Sequence, residues 1–490
     1  MIRGDATVAP DAPALRRIDV LVIVTLVIVG AALRFYRIGT ALWYDEIVTL
    51  VESVRQPLTE IVTRFPGDNH HPLYSVLAHL AVGAFGEEPW ALRLPAALCG
   101  VASIPLLYLV GRRVTGRMEA AAASLILTVS YHHVWFSQNA RGYTAVLLAV
   151  LLSTYALLRW LDERNRSFVM VFAVSTALGA YAHLTTVLVA VGQALALVIG
   201  WTAGDRSGKS GTAWKEAATA FLAAAGLTVL IYAPMLGDVG AVMSSGESSG
   251  GDTATLAWTI AAVLQGLQVG FGTLAAIVLG GAIVGAGLVG YFRQRPLIAL
   301  LFILPVIVTV GAALVLNRPV RPRFMFFGVG FALLFIVRGA ANLGAMVGAA
   351  LGGSRGTAAT TGLALVTLGA VALSVRSLPY GYRYPKQDYV QAVTFVERSM
   401  RPGDVAVVIG DGAEIPVVRY LGRQWPRVSS EEELRVLTRS GGDAWVVSTF
   451  PSYIRSGRPE LWRFLQSECT TMAEIEGTVE DGTITVRRCS

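Results

Sequence analysis

Apolar runs of roughly 17 to 20 residues recur between residues 19 and 375, each about what an α-helix needs to cross a hydrocarbon core of about 30 Å. Backbone groups in lipid must be satisfied within the segment that carries them, so these runs read as helices. With 54% apolar and only 15% charged residues over 490 positions, and a mean hydropathy of 0.57, a water-soluble domain of this size is excluded. The chain reads as an α-helical polytopic membrane protein.

Charge decides how the runs thread. Arg16 and Arg17 precede the first span, residues 19 to 36, which places the N-terminus in the cytoplasm, and the absence of a small-residue cleavage motif makes that span an anchor. The stretch from His71 to Phe85 is short and interrupted by a histidine, so it is expected to lie along or dip into the outer surface. Taking residues 93 to 111 as the second span then puts Arg112, Arg113, Arg117, Arg159, Arg164, Arg166, Arg206, Lys209, Lys215, Arg293, Arg295, Arg338 and Arg355 inside. The remaining spans are 118 to 136, 143 to 161, 167 to 184, 186 to 203, 216 to 234, 272 to 291, 297 to 315, 324 to 342 and 357 to 375, about eleven in all. An odd number sends the C-terminus outside. Residues 235 to 258, rich in Gly and Ser, become an outer loop whose length fits a lid or a plain linker.

Composition shifts after residue 375. Residues 376 to 490 carry 15 basic and 15 acidic side chains, so the net charge of +7 lies wholly in the membrane part, where a basic excess reports topology and not nucleic-acid binding. We therefore expect two domains, a transmembrane domain over 1–375 and a small extracytoplasmic α/β domain over 376–490. Within the latter, 404–410 and 444–448 read as buried strands and 388–400 and 431–439 as helices. Cys469 and Cys489 could pair there if the domain meets an oxidising compartment, while Cys99 lies in an apolar run and reads as packing.

The polar residues of the membrane part gather on the outer face. Leu42-Trp43-Tyr44-Asp45-Glu46 holds two carboxylates at headgroup depth between interfacial aromatics, and a carboxylate there can act as general base toward an acceptor hydroxyl. The first outer loop adds Glu52, Glu60, Asp68, His70 and His71; the second offers Tyr131, His132, His133, Gln138, Asn139, Arg141 and Tyr143; His183 ends the fifth span. Arg318, Arg321 and Arg323 run against the positive-inside bias. Guanidinium forks match phosphate oxygens, although snorkelling at a helix end is the alternative. His70-His71-Pro72 with His132-His133 raises a divalent metal, but the spacing fits no standard zinc pattern, and no metal site or cofactor is assigned.

Trp43-Tyr44-Asp45-Glu46, His71-Pro72-Leu73-Tyr74, Trp90-Ala91-Leu92-Arg93-Leu94-Pro95 continuing to Arg112-Arg113, Ser137-Gln138-Asn139-Ala140-Arg141-Gly142-Tyr143 and Arg321-Pro322-Arg323-Phe324 together resemble the GT-C glycosyltransferases of the family 39 type. That family includes protein O-mannosyltransferases and lipid A aminoarabinose transferases. The resemblance implies an inverting transferase, mannosyltransferase-like, moving a hexose or pentose from a polyprenyl-phosphate donor to a cell-envelope glycan, lipid or protein at the outer face of a bacterial plasma membrane. It implies Asp45, with Glu46 beside it, as catalytic. Arg321, Arg323 and His71 fall near the donor phosphate, and Tyr44, His70, Gln138, Asn139, Arg141, Tyr143 and His183 near substrate. Many relatives carry an acid where this chain has Asn139, which weakens a metal further. A polytopic transporter or flippase for a lipid-linked sugar is the competing class; it would show paired repeats or polarity at the bilayer midplane, and neither is present in the sequence.

Overall fold

The computed structural model describes residues 15–67, 70–205, 207, 211–244, 256–316, 321–438, 442–479 and 481–490. The membrane part runs α1 (Arg17–Phe35), α2 (Tyr44–Thr49) continuing as a π-turn (Leu50–Val54), α3 (Leu58–Ile61), α4 (Pro72–Phe85), α5 (Pro89–Val114), α6 (Arg117–Val129), α7 (Tyr131–Ser137), α8 (Tyr143–Glu163) and α9 (Ser167–Ala182). It continues with α10 (Thr185–Thr202), α11 (Gly211–Tyr232), α12 (Leu236–Ser244), α13 (Leu256–Phe271), α14 (Leu274–Gln294), α15 (Pro296–Val315), a 3₁₀ turn (Pro322–Gly328), α16 (Val329–Ala350) and α17 (Arg355–Arg383).

Among the described residues nine helices are long and apolar enough to cross a bilayer, and two of the eleven expected spans are shorter. Ser167–Ala182 has 16 residues. The expected span 118–136 breaks at Ser130 into α6 and α7, for a physical reason: the buried Arg34 guanidinium takes the freed carbonyls of Leu127 (3.2 Å) and Thr128 (3.0 Å) at the end of α6. Both short segments still carry the chain from one end of the bundle to the other. Arg117, opening α6, bonds Asp19 at 2.7 Å near the start of α1, whereas Gln138, just past α7, donates to the Arg34 and Tyr36 carbonyls at the far end of α1. Ion pairs of Arg113 with Asp162 and Glu163, of Arg166 with Glu216 and of Arg338 with Glu119 gather the basic clusters at the Asp19 end. Among the described residues, those singled out for chemistry lie at the opposite end.

Two other expectations change in detail. The stretch 235–258, expected as an outer loop serving as a lid or a plain linker, is helical over Leu236–Ser244 and again from Leu256, and residues 245–255 lie outside the described residues. The last membrane helix continues to Arg383, eight residues past the expected end.

The C-terminal α/β unit comprises α18 (Tyr389–Ser399), β1 (Val405–Ile409), α19 (Asp411–Glu414), a π-turn (Ile415–Tyr420), β2 (Arg427–Val428), α20 (Glu431–Thr438), β3 (Ala444–Ser448), α21 (Pro451–Gly457), α22 (Pro459–Ser467), β4 (Cys469–Ile475) and β5 (Ile484–Cys489). The sheet order is β2-β1-β3-β5-β4, with β1 parallel to β2 and β3 and β5 antiparallel to β3 and β4. Cys469 and Cys489 face each other across β4 and β5 and form a disulfide. Cys99 is free and packs on the helical core.

The unit does not hang from a tether. One apolar core joins Ile47, Leu50, Val51 and Val54 of α2 and its π-turn, Tyr74 and Ala78 of α4, and Tyr389, Val396, Val408, Trp445 and Val447 of the unit. The linker is clamped too: Gln387 accepts from Tyr44 N–H at 3.0 Å and donates to Thr449 Oγ1 and the Gly482 carbonyl. The helix that carries Asp45 is therefore packed from both sides.

Candidate active site

Asp45 and Glu46 occupy the first turn of α2, where the exposed N–H groups of a helix start favour negative charge. They face opposite ways. Glu46 is fully buried and paired bidentately with Arg93, at 2.7 Å to Nε and 2.5 Å to Nη2, and also accepts from Ala140 N–H (2.7 Å) and Trp43 N–H (3.3 Å). Burial alone would push its carboxyl up, but Arg93, Lys386 and the Ala140 N–H outweigh it and hold the group below the usual value. With both oxygens engaged, Glu46 has no face for substrate. It stands as a brace: Arg93 also donates to the Ile38, Thr40 and Ala41 carbonyls and so binds the segment between α1 and α2 to α5.

Asp45 keeps an opening. Its Oδ2 meets Arg323 Nη1 at 2.9 Å, with side-chain exposures of 10% and 23%. The sequence separates the two by 278 positions, and the 3₁₀ turn before α16 brings them together. One turn along α2, Thr49 donates to the Asp45 carbonyl (2.8 Å) and accepts from Arg141 Nη1 (3.0 Å). Arg141 lies buried near His70, His71 and His183, and each is pushed down in pKa, first by burial and then by this guanidinium, to about 4 for His70 and about 3 for His183.

The rings of His71, Tyr143 and His183 form one cluster, His71 lying 5.0 Å from Tyr143 and 5.1 Å from His183, with Phe324 4.9 Å beyond. Hydrogen bonding sets the two neutral tautomers in opposite senses. His71 Nδ1 lies 2.8 Å from the Ala182 carbonyl, which can only accept, so Nδ1 carries the proton and Nε2 is a bare acceptor. His183 Nδ1 accepts from Thr185 N–H (3.2 Å), so its Nε2 carries the proton and is a donor. Among the described residues, both Nε2 atoms and the Tyr143 hydroxyl are buried without a hydrogen-bond partner. Buried polar atoms without partners are rare, and three at one place mark a position for a polar ligand. Gly142 makes the cluster possible, since a Cβ there would lie 2.9 Å from His71 Nδ1 and 3.0 Å from the Ala182 carbonyl.

The site thus sets a carboxylate paired with an arginine at the polar end of an apolar bundle, beside donors and acceptors left open. The sequence model of the dolichyl-phosphate-mannose-protein mannosyltransferase family matches residues 69–232, the segment that supplies His71, Arg141, Tyr143 and His183. ArnT from Cupriavidus metallidurans in the apo state is similar over 95% of this chain and 97% of its own, with a TM-score of 0.56 at 12% identity. The oligosaccharyltransferase of Archaeoglobus fulgidus in the apo form covers 91% of this chain and 71% of its own, with a TM-score of 0.56 at 13% identity. The chain has the GT-C glycosyltransferase fold. With the family match over a third of the chain, this is the fold of membrane glycosyltransferases. A GT-C structure of AglB from Archaeoglobus fulgidus in complex with an inhibitory peptide and a dolichol-phosphate also matches, with a TM-score of 0.53 at 14% identity over 90% of this chain and 70% of its own. No curated protein sequence matches the chain.

On this GT-C frame the residues singled out from sequence divide. Asp45, His71, Arg141, Tyr143, His183 and Arg323 converge, with His70 at their edge, its Nδ1 3.4 Å from Ser53 Oγ. Arg321 precedes the same 3₁₀ turn as Arg323; Arg318 and Asp68 lie outside the described residues. Three expected substrate contacts turn elsewhere. Gln138 braces the end of α1, Asn139 accepts from Trp43 Nε1 at 3.1 Å, and the Tyr44 ring packs on Phe450 of the C-terminal unit. His132 reaches the Gly266 carbonyl (2.7 Å) and His133 the Arg34 guanidinium (2.5 Å), so neither joins His71. Among the described residues no three His, Cys, Asp or Glu side chains converge as metal ligands. Arg93 and Lys386 went unnoticed as site residues. Arg93 had a legible signal, a lone charge in an apolar helix, which demands a buried partner. Lys386 had none; it lies buried over the Trp135 ring and donates to the Gln138 carbonyl, and burial draws its pKa down to about 7 against the pull of Glu46.

Proposed function

We propose that the protein transfers a sugar from a polyprenyl-phosphate donor to a cell-envelope acceptor on the outer face of a bacterial plasma membrane, with inversion at the anomeric carbon. The observation that carries this reading is the 2.9 Å contact between Arg323 and Asp45, a phosphate-type cation and a candidate base in one ion pair at the mouth of the helix bundle. The donor phosphate takes Arg323, with Arg321 beside it, and the His183 Nε2–H and Tyr143 O–H supply further donors. The bare His71 Nε2 can only accept, which suits a sugar hydroxyl better than a phosphate oxygen.

Asp45, released from Arg323, takes the proton of the acceptor hydroxyl while that oxygen attacks the anomeric carbon. The bond from that carbon to the phosphate oxygen breaks, and its electron pair leaves on the polyprenyl phosphate, where the guanidinium neutralises it. The relative with bound dolichol-phosphate supports a lipid phosphate as the ligand. The outward orientation is supported by the basic clusters at the opposite end and by the Cys469–Cys489 disulfide, which belongs in an oxidising compartment.

The test is transfer from radiolabelled polyprenyl-phosphate sugars to envelope acceptors by purified protein, wild type against Asp45→Asn. Loss of transfer in the variant is expected. Undiminished transfer removes Asp45 as base, and no transfer by wild type from any such donor returns the transporter reading.

A further inference from the structure

Beside His70, at the edge of the ring cluster, lies a cavity of about 140 Å³. Glu52 and Ser53 of the π-turn, Glu60, Arg64, His70 and Asp238 of α12 line it. It is continuous with the base along one helix: Asp45, Thr49 and Ser53 recur every four residues and so share a face, with Ser53 roughly 12 Å along the axis from Asp45. That face carries hydrogen-bonding groups throughout.

The lining is partly committed. Asp238 Oδ2 accepts from Phe65 N–H at 3.0 Å, and Glu52 is paired with Arg419 of the C-terminal unit at 3.0 Å. Glu60 and Arg64 are exposed, and among the described residues their side chains make no hydrogen bond or ion pair. The His70 Nε2 is buried and also without a partner. A planar carboxylate, a guanidinium fork and an imidazole around one ring-sized space present paired acceptors and donors. Adjacent hydroxyls of a sugar ring, each donating and accepting, satisfy such a set two at a time.

The donor has no reason to sit there. Its lipid tail must arrive from the bilayer toward Arg323, between α15 and α16, whereas this cavity is bounded by the α2 to α3 segment and α12, and four of its nine lining residues carry charge. We propose that the cavity is the acceptor subsite and that the acceptor is a glycan. A ring held by Glu60, Arg64 and His70 lets the next sugar outward reach Asp45 with its free hydroxyl. This rests on the reading of Asp45 as base.

The test separates the two. Full-length protein in nanodiscs is given radiolabelled polyprenyl-phosphate sugar and an envelope extract as acceptor, and binding of a fluorescently tagged glycan fraction from that extract is measured without turnover. Glu60→Gln with Arg64→Ala is expected to raise the half-saturating extract concentration at least tenfold and weaken glycan binding equally, with the Kd for polyprenyl phosphate unchanged. Periodate, which cleaves vicinal diols, should abolish acceptor activity of the extract, and protease should not. Unchanged half-saturation, a shifted polyprenyl-phosphate Kd, a periodate-resistant acceptor, or a glycan fraction that fails to bind overturns the subsite. Asp45→Asn protein that binds the glycan normally but still transfers at the wild-type rate overturns the base and leaves the subsite standing.

Discussion

Truncating Glu46 separates the brace from the base. Glu46→Ala strands the Arg93 guanidinium, 1% exposed, without its counter-charge, and removing one partner of a buried ion pair costs about 3–5 kcal/mol. The Ala140 N–H loses its acceptor as well, and an unsatisfied buried donor costs roughly 1–3 kcal/mol. Either loss is a large fraction of a typical folding stability of about 5–15 kcal/mol. The variant is expected to lose its ordered outer face, seen as a drop of many degrees in the melting temperature of detergent-purified protein and as rapid proteolysis near Thr40. Glu46→Gln keeps an oxygen for Arg93 and a similar shape, so it should melt between the two and retain partial transfer. The reasoning is refuted if Glu46→Ala melts like wild type while transfer disappears, because Glu46 would then be acting on substrate.

Three further outcomes are expected. Arg323→Ala removes a charge-assisted contact worth about 1.5–3 kcal/mol, so the Kd for polyprenyl phosphate should rise about 10- to 150-fold; unchanged affinity removes Arg323 from the phosphate site. Gly142→Ala places a methyl against His71 Nδ1 and the Ala182 carbonyl, and transfer should fall well before melting temperature does; wild-type activity would mean that the His71 position is immaterial. His70 and His183 are held near 4 and 3 in the folded protein against an ordinary 6.5, so the unfolded chain takes up protons below 6.5 that the folded protein refuses. Stability should therefore fall as pH drops from 6.5 toward 4, by roughly 1 kcal/mol per pH unit for each. Melting curves between pH 6.5 and 5 should slope accordingly, less so in His183→Asn, and a flat profile would contradict the burial of these rings.

The helical bundle was legible because lipid leaves the backbone one solution, and the charge clusters order the crossings. The break at Ser130 was not: its only local mark is Ser130 itself, whose hydroxyl caps α7, and the larger cause is Arg34, almost a hundred residues earlier, taking the end carbonyls of α6. In the site, residue types were legible and partnerships were not. Asp45 and Glu46 are neighbours with the same chemistry, and only the position of Arg93 on α5 and Arg323 after α15 assigns one to the scaffold and leaves the other open. Gln138 and Asn139 looked like substrate contacts because polar residues beside a span are costly without a purpose; their purpose is to satisfy the backbone of α1 and the Trp43 indole. Gln387 and Lys386 were invisible for the opposite reason, being ordinary residues in a polar linker that tertiary packing buries against the α2 helix and the Gln138 loop.

The pairing of Arg323 with Asp45 has a consequence that separates this mechanism from one in which the two act independently. On the proposed mechanism Asp45 and the donor phosphate compete for the Arg323 guanidinium, so the carboxylate opposes donor binding until the phosphate displaces it. Asp45→Asn removes that competition. A partly exposed pair of this kind is worth about 1 kcal/mol, so the variant should bind polyprenyl phosphate about fivefold more tightly while transfer falls by about 10² to 10⁴. Binding and turnover move in opposite directions, which neither misfolding nor a purely structural role for Asp45 produces. Equilibrium binding of a fluorescent polyprenyl phosphate to both proteins in nanodiscs measures it. Unchanged or weakened affinity in Asp45→Asn would mean that the phosphate does not take Arg323 from Asp45, and the exchange of partners at the centre of the mechanism would be wrong.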